Sequence, residues 1–258
     1  MTHNQLVNRK AKEVLISSNS KKEFFLIHGY TGSPTDFNQL GKYLHKRFDA
    51  NIKIIRLKGH GEKIENIDNL DYMDFFLKTE NELVKDIKKG KDIVIIGMSV
   101  GGFIALQLSS KYPVKGIINI SIPYKGNFIT NLISFFEPLI FKKHWRKPIP
   151  DYEKEMRKNA FFYDINLRGF KIIKQGKKEL LNNLNKIIVP CLFIHVLKDH
   201  VFHPNGAKII KNKINSKIVD IFLFETGGRA SHNPFYTPQH NDLYKIIGDF
   251  VDKNKLFN

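Results

Sequence analysis

The sequence predicts an α/β protein with a mostly parallel sheet flanked by helices. Up to residue 123 the chain alternates apolar, strand-like runs with amphipathic runs in the order β-α-β-α-β-α-β. Such alternation is typical of a parallel sheet that is covered by helices. One run, Ile93–Ile96, contains only β-branched residues, which is expected of a strand that is buried on both faces. The two observations together define the fold class.

Each predicted strand is a short apolar run that ends at a glycine, a proline or a polar cluster. In chain order these strands are Val14–Ser17, Lys22–Ile27, Asn51–Arg56, Asp92–Ile96, Val114–Ile122, Ile187–Leu197 and Ile218–Phe224. Each predicted helix carries apolar residues at helical spacing. The helices are Asp36–Lys46, Asp71–Lys88 with Asp71 as its cap, Phe103–Tyr112, Pro204–Ile214 and Pro238–Lys253.

The alternation stops between residues 124 and 186. This stretch has apolar segments but no clear buried strand, and it is interrupted by Pro138, Pro148 and Pro150. We therefore predict two parts: a core domain formed by residues 1–123 and 187–258, and a helical cap formed by residues 124–186. An insertion at this point would lie over the carboxyl edge of the sheet, where α/β proteins bind ligands.

The chain carries a formal net charge of +17, which favours anionic partners such as nucleic acid or anionic lipid. The lysines are spread along the whole chain, as in a compositional bias, and we expect no nucleic-acid partner. Aromatic and cationic residues alternate in Phe141–Lys147 of the cap. Weak contact with an anionic membrane surface, the mouth of a pocket, or a solvated helix face with a buried Trp145 would each explain this run.

The predicted location is the cytoplasm. The single cysteine, Cys191, excludes an internal disulfide and fits a reducing compartment. Residues 1–22 contain no signal-peptide core, and no apolar run reaches membrane-spanning length.

A Gly-x-Ser-x-Gly pattern, Gly97–Gly101, directly follows the buried strand and precedes a helix. A chance turn is the alternative, but the strand before it and the helix after it favour a nucleophile elbow. In such a turn Ser99 adopts a strained conformation, and side chains at both glycines would collide with neighbouring elements. The amide of Val100 would then lie at a helix N-terminus and face developing negative charge.

The strand Lys22–Ile27 leads into a glycine-rich loop, His28–Thr35. In a serine hydrolase this position supplies the second oxyanion-hole amide, and Tyr30 is the candidate. We expect His28 to shape the loop through hydrogen bonds rather than to act as a base. His60, which lies between two glycines, is expected to be a satisfied histidine in a turn.

Three reactive residues follow predicted strand ends in the order Ser99, Asp199, His232. A serine hydroxyl needs an imidazole to take its proton and a carboxylate to orient that imidazole. Loops at the carboxyl edge of a parallel sheet can bring such residues together. The alternatives are His240 for the base and either Asp220 or Glu225 for the acid, whereas His200 and His203 are expected on the loop surface.

These motifs resemble those of the α/β-hydrolase superfamily, and more narrowly of bacterial carboxylesterases and monoacylglycerol lipases. The matching segments are His28–Gly32, Gly59–Gly61, Gly97–Gly102, Asp199–Phe202 and the late histidine, His232. The resemblance implies the α/β-hydrolase fold, with Ser99 as the nucleophile, His232 as the base and Asp199 as its orienting acid. It also implies an oxyanion hole formed by the amides of Tyr30 and Val100.

The implied activity is hydrolysis of short-to-medium acyl esters or monoacylglycerols through an acyl-enzyme. Apolar cap residues would line the acyl pocket: Leu132, Phe135, Phe136, Leu139 and Ile140. No cofactor is expected, since no metal cluster and no complete nucleotide-binding loop is present in the sequence. A thioesterase, a lysophospholipase or an acyltransferase would use the same residues, and a non-catalytic binding protein with a basic surface is the remote alternative.

Overall fold

A seven-stranded sheet forms the centre of the protein. The computed structural model describes residues 11–37, 39–62, 64–127, 130–132, 135, 144–146, 164–166, 168–199, 201–225 and 232–258. The strands of the sheet are β1 (Val14–Ile16), β2 (Lys22–Ile27), β3 (Asn51–Ile55), β4 (Asp92–Met98), β5 (Gly116–Ile120), β8 (Cys191–Val196) and β9 (Val219–Phe224). Each overlaps a strand that the sequence predicted. The two remaining strands, β6 and β7, lie in the insertion and are described below.

The strand order in the sheet is β1-β3-β2-β4-β5-β8-β9. Only β1 runs antiparallel to its neighbour, and every other pairing in this sheet is parallel. Ile27 at the end of β2 is in register with Gly97 of β4, which is in register with Asn119 of β5. The carboxyl ends of these three strands therefore meet at one edge, as expected for a mostly parallel α/β sheet.

Helices cover both faces of the sheet. They are α1 (Leu40–Phe48), α2 (Tyr72–Lys88), α3 (Val100–Ser109), α4 (Arg168–Leu181), α5 (Asn205–Lys211) and α6 (His240–Lys253). Phe25 belongs to an apolar core that includes residues of α2, α3, α4 and α5, whereas the adjacent Phe24 belongs to a core that includes residues of α1 and α6. Successive strand residues thus feed two separate cores. None of the described helices combines the length and the apolar character that a membrane crossing would require.

A helix begins at the residue that the sequence predicted where a capping side chain marks its start. Asp71 caps α2, because its carboxylate accepts the Asp74 amide while the Asp74 carboxylate accepts the Asp71 amide. The predicted helix from Asp36 is different, since a 3₁₀ turn at Pro34–Phe37 precedes α1. Asp36 is buried and accepts a hydrogen bond from the Tyr236 hydroxyl at 2.8 Å. The Asp36 side chain, which the sequence pattern placed at a helix start, therefore makes a long-range contact.

The described part of the insertion contains strands that the sequence did not predict. β6 (His144–Arg146) pairs antiparallel with β7 (Asp164–Asn166). Three-residue strands are too short to produce a recognisable alternation. The helix face considered for Phe141–Lys147 is therefore wrong at residues 144–146, which are extended. The insertion ends in α4, which leads back to the sheet. A side chain at Gly176 in this helix would meet the rings of Tyr72 and Phe103.

Candidate active site

Ser99 lies in a strained turn between a strand and a helix. It separates β4 from α3 and has φ 53° and ψ −121°, which L-residues with a side chain rarely adopt. The Ser99 amide donates to the Ile120 carbonyl at 2.9 Å, and the Ser99 carbonyl accepts the Gly102 amide at 2.8 Å. Such strain persists where the surroundings fix it, and it concentrates at functional sites. The backbone therefore has the geometry expected of a nucleophile elbow.

The two glycines of the pattern are required by close backbone approach. A Cβ at Gly101 would overlap the carbonyl oxygen of Ile27 at the end of β2. A Cβ at Gly97 would lie 2.8 Å from the Cα of Gly102 in α3. Each of these two approaches is closer than a non-bonded contact of a carbon atom allows. The expected collision with a neighbouring strand and helix is thus confirmed, and it explains the spacing of the motif.

The loop after β2 lies directly against the serine. A Cβ at Gly29 would come within 2.9 Å of the Ser99 Cβ, so the following residue, Tyr30, is held next to the elbow. The start of α4 covers this loop from the other side, because a Cβ at Gly169 would meet the Tyr30 ring. Val100 is the first residue of α3, so its amide belongs to the helix N-terminus. The two predicted oxyanion-hole residues therefore flank the same turn.

His28 shapes this loop, as predicted. The ring is fully buried, Nδ1 lies 2.9 Å from the Gly29 carbonyl, and Nε2 accepts the Leu57 amide at 3.1 Å. Burial and the neighbouring His60 lower the pKa of His28 well below its ordinary value. Burial also lowers the pKa of His60 to about 4, and its Nδ1 lies 3.0 Å from the Lys58 carbonyl. Both rings are neutral structural elements at neutral pH.

Asp199 and His232 form a hydrogen-bonded pair in the loops after β8 and β9. His232 Nδ1 lies 2.7 Å from Asp199 Oδ2, with side-chain exposures of 17% and 0%. The carboxylate accepts, so the proton of the neutral imidazole is on Nδ1 and the lone pair is on Nε2. Nε2 is buried and has no hydrogen-bond partner within the described residues. A neutral imidazole oriented in this way is ready to accept a proton.

The Asp199 carboxylate is held from four directions. Oδ1 accepts the amides of Val201 and Phe202 at 2.8 and 3.1 Å. Oδ2 lies 2.7 Å from His232 Nδ1 and 3.1 Å from Nε2 of a second histidine, His195. Burial would raise the pKa of this carboxyl, but the two imidazoles outweigh burial and hold the pKa below its ordinary value. Asp199 is therefore ionised at neutral pH.

Sequence reasoning missed His195. It is the one polar residue in β8, whose other residues are Cys191–Ile194 and Val196, and its exposure is 0%. A buried polar side chain requires a hydrogen-bond partner. A histidine in an otherwise apolar strand, four residues before the predicted acid, was thus a signal from which this contact could have been predicted.

The alternative residues lie elsewhere. His240 begins α6, and its Nδ1 lies 3.0 Å from the Thr237 carbonyl. The carboxylate of Asp220 on β9 pairs with Lys253 at 3.2 Å, and Glu225 is exposed at the end of that strand. His203 accepts the Asn205 amide on the surface. His200 lies outside the described residues.

Of the five predicted pocket residues, Leu132 and Phe135 are described, and they are 48% and 76% exposed. Phe136, Leu139 and Ile140 lie outside the described residues. The structure also contains a cleft of about 450 Å³. Phe202 forms part of its wall, and the Phe202 ring lies 5.5 Å from the His232 ring. The other apolar residues of its lining are Pro123, Tyr124, Phe170, Ile173 and Ile209.

A mostly parallel sheet with a strand–Gly-x-Ser-x-Gly–helix turn at its carboxyl edge is the architecture of the α/β-hydrolases. Residues 18–233 match the hydrolase family described as serine aminopeptidase, S33, and the chain belongs to this family. The fold-level resemblance predicted from the sequence is confirmed.

Esterases and lipases are among the proteins to which this chain is similar. The chain is 24% identical to a carboxylesterase from Bacillus subtilis over 237 residues, which cover 88% of this chain and 92% of that protein. It is 24% identical to a thermostable monoacylglycerol lipase from Bacillus sp. over 79% of this chain and 81% of that one. The solved Paleococcus ferrophilus monoacylglycerol lipase superposes with a TM-score of 0.74 at 13% identity, over 94% and 98% of the two chains. An esterase-type hydrolase is the activity class that these relatives support.

Proposed function

We propose that this protein is a serine carboxylic-ester hydrolase in which Ser99, His232 and Asp199 form a catalytic triad. One observation carries the proposal: the carboxyl edge of the sheet holds both the strained Ser99 turn and a His232–Asp199 pair at 2.7 Å. Nε2 of His232 has no hydrogen-bond partner among the described residues, which supports its role as the base. A histidine, an orienting acid and a serine at an elbow are the parts that acyl transfer requires.

The proposed reaction begins with attack by Ser99 Oγ on the ester carbonyl carbon. His232 Nε2 takes the hydroxyl proton, and the resulting imidazolium is stabilised by the Asp199 carboxylate. The tetrahedral oxyanion is bound by the amides of Tyr30 and Val100. When it collapses, the carbon–oxygen bond to the alcohol breaks, and the alcohol leaves with the proton from His232. An ester between the acyl group and Ser99 remains.

Water completes the cycle. His232 Nε2 removes a proton from a water molecule, whose oxygen attacks the acyl carbon and forms a second tetrahedral intermediate. The Ser99–acyl bond then breaks, and Ser99 Oγ recovers its proton from the imidazolium. The carboxylic acid is released, and every group of the protein returns to its starting state.

The proposed substrates are short-to-medium acyl esters or monoacylglycerols. The similarity to a carboxylesterase and a monoacylglycerol lipase supports both classes. A cleft of about 450 Å³, lined by apolar residues together with Lys125, Lys174 and Lys177, has the size of a small-molecule site. Since Phe202 both lines this cleft and contacts His232, we assign the acyl chain to it. The sequence-derived pocket in the cap, including Leu132 and Phe135, stays a second location for the acyl chain.

The decisive experiment measures hydrolysis of p-nitrophenyl esters from C2 to C16 by the wild type and by Ser99→Ala. We expect a mid-chain optimum that disappears in the variant. A wild type no faster than Ser99→Ala on every ester would overturn the proposal. A preference for acetyl over octanoyl esters would contradict the expected mid-chain optimum, and would leave the proposed esterase activity intact. An acyl-thioester arm, a lysophospholipid arm and an aminoacyl p-nitroanilide arm test the other activities that the same residues could support.

The acyl cleft has its own test. Ile209→Trp would fill part of the cleft and should move the chain-length optimum to shorter esters. Leu77→Trp is the matched control, because Leu77 is 49% exposed on α2 and does not line the cleft. Equal profiles for the two variants would place the acyl chain elsewhere, and Phe135→Ala would then test the cap.

A basic binding surface is the competing function of another class. The net charge of +17 favours it, and the proposed weak contact of the cap with anionic membranes belongs to the same argument. Binding to anionic vesicles that falls steeply with salt and is unchanged in Ser99→Ala would support a surface role. Such binding in an inactive protein would replace the enzymatic proposal.

A further inference from the structure

We infer that His195 is a positioning residue, which holds the Asp199 carboxylate in the orientation that His232 requires. The inference rests on the proposed function of Ser99, His232 and Asp199. His195 is on β8 with a side-chain exposure of 1%, so it cannot meet solvent. Its Nε2 lies 3.1 Å from Asp199 Oδ2 and 3.2 Å from the Phe202 carbonyl oxygen.

The hydrogen bonds assign the proton on His195. Both neighbours of Nε2 are acceptors, a carboxylate and a carbonyl, so Nε2 must carry the hydrogen. Nδ1 of the same ring is buried and has no hydrogen-bond partner in the described part of the chain. A second proton on Nδ1 would therefore be buried without an acceptor, which is unfavourable. The ring is a neutral donor.

This donor completes the restraint on the carboxylate. The Val201 and Phe202 amides fix Oδ1, whereas Oδ2 is shared by the His195 and His232 rings. Without His195, one bond from His232 would be the remaining contact of Oδ2 among the described residues. The carboxylate could then rotate, and the orientation of His232 would loosen with it.

The same donor moderates the charge that His232 faces. Within the described ranges, the two imidazoles are the titratable groups that contact the carboxylate. On the adjoining loop, Asn127 donates its neutral side-chain amide to the Asp199 carbonyl at 3.0 Å. Loss of the His195 hydrogen bond leaves more negative charge on Oδ2. This stabilises the protonated form of His232, so the acid limb of the pH profile of kcat/KM should move to higher pH.

His195→Gln and His195→Met form a matched pair for the test. Both side chains reach as far as the imidazole Nε2, but only glutamine retains an N–H there. We expect the methionine variant to lose about tenfold in kcat with little change in KM. Its acid limb in the pH profile of kcat/KM should move up by about half a unit to one unit. The glutamine variant should resemble the wild type, and equal behaviour of the two variants would overturn the inference.

A second measurement separates this inference from the proposed function. Nitrogen NMR of histidine in the wild type reports the tautomer of His195 and the titration of His232 without any substrate. A proton on Nδ1 of His195 overturns the inference, even if neither variant folds. If the wild type hydrolyses esters and Ser99→Ala does not, while both His195 variants match the wild type, the inference alone fails. If no ester is hydrolysed, the proposed function fails, and the NMR titrations of wild type and variants still decide the role of His195.

Discussion

Two polar clusters lie at opposite ends of the central strands, and each contains at least one buried carboxylate held by different partners. At the carboxyl edge, Asp199 is bound by two backbone amides and two imidazoles. At the other end, Lys53 bridges Glu82 and Asp86 at 2.7 and 2.6 Å, next to Glu23 at the start of β2. The first cluster pairs one carboxylate with two imidazoles, whereas the second is an ion-pair network.

The comparison shows that a shifted pKa does not identify a functional site by itself. Burial, followed by repulsion from Asp86, raises the pKa of Glu23 to about 7. This displacement exceeds the spread of about one unit that glutamates in folded proteins show, but among the described residues no hydrogen bond joins Glu23 Oε1 to an imidazole or to the Ser99 turn. Partner chemistry and geometry distinguish the Asp199 cluster. The predictions below test that distinction.

The largest effect is expected for Asp199→Asn. In this variant an NH₂ group replaces one carboxylate oxygen. At the position of Oδ2 it would face the N–H groups of His195 and His232, or it would leave His232 in the wrong tautomer. We expect kcat for esters to fall by about 10⁴-fold. Steady-state kinetics with p-nitrophenyl esters measures this loss. Asp220→Asn is the control, because Asp220 pairs with Lys253 on the surface, and it should leave kcat unchanged.

Lys53→Met tests the opposite cluster. The Lys53 side chain is 11% exposed, and its removal would leave the Asp86 carboxylate, 5% exposed, without its closest cation. We expect the free energy of unfolding to fall by about 2–4 kcal/mol, while kcat per folded molecule stays at the wild-type value. Urea denaturation measures the first quantity. In the control Lys85→Met, an exposed pair is lost and the change should stay below about 0.5 kcal/mol.

Glu23→Gln should stabilise the protein, and only at higher pH. Burial raises the pKa of Glu23 from its ordinary value of 4.5 to about 7, so between these two pH values the folded state holds a proton that the unfolded state loses. The cost of burying the charge is absent below about pH 4.5 and complete above pH 7. The substitution should raise the free energy of unfolding at pH 8 by about 1–3 kcal/mol. Equal gains at pH 8 and pH 4.5 would refute this explanation.

The sequence predicted the central architecture because its signals are local. The β-branched run of β4, the glycines that flank Ser99, and the Asp71 cap each act within a few residues. The glycine pattern even predicted the close approach that the structure shows at Gly97 and Gly101. Each of these features was readable from neighbouring positions alone.

Features that depend on distant contacts were not predicted. His195 contacts Asp199 only four residues later, but the pairing of that carboxylate with His232 joins positions 33 residues apart. The cleft joins Tyr124 to Phe170, which are far apart in the sequence. The short strands β6 and β7 depend on each other for pairing, so neither carries a strong pattern alone.

Reaction with a fluorophosphonate, a reagent that captures activated serines, tests the central claim most directly. Intact mass and peptide mapping would give the stoichiometry and the position of the adduct. We predict one adduct per chain on the peptide that contains Ser99, and none in Ser99→Ala. An adduct on a different residue, or no adduct on the folded wild type, would contradict the assignment of Ser99 as the nucleophile.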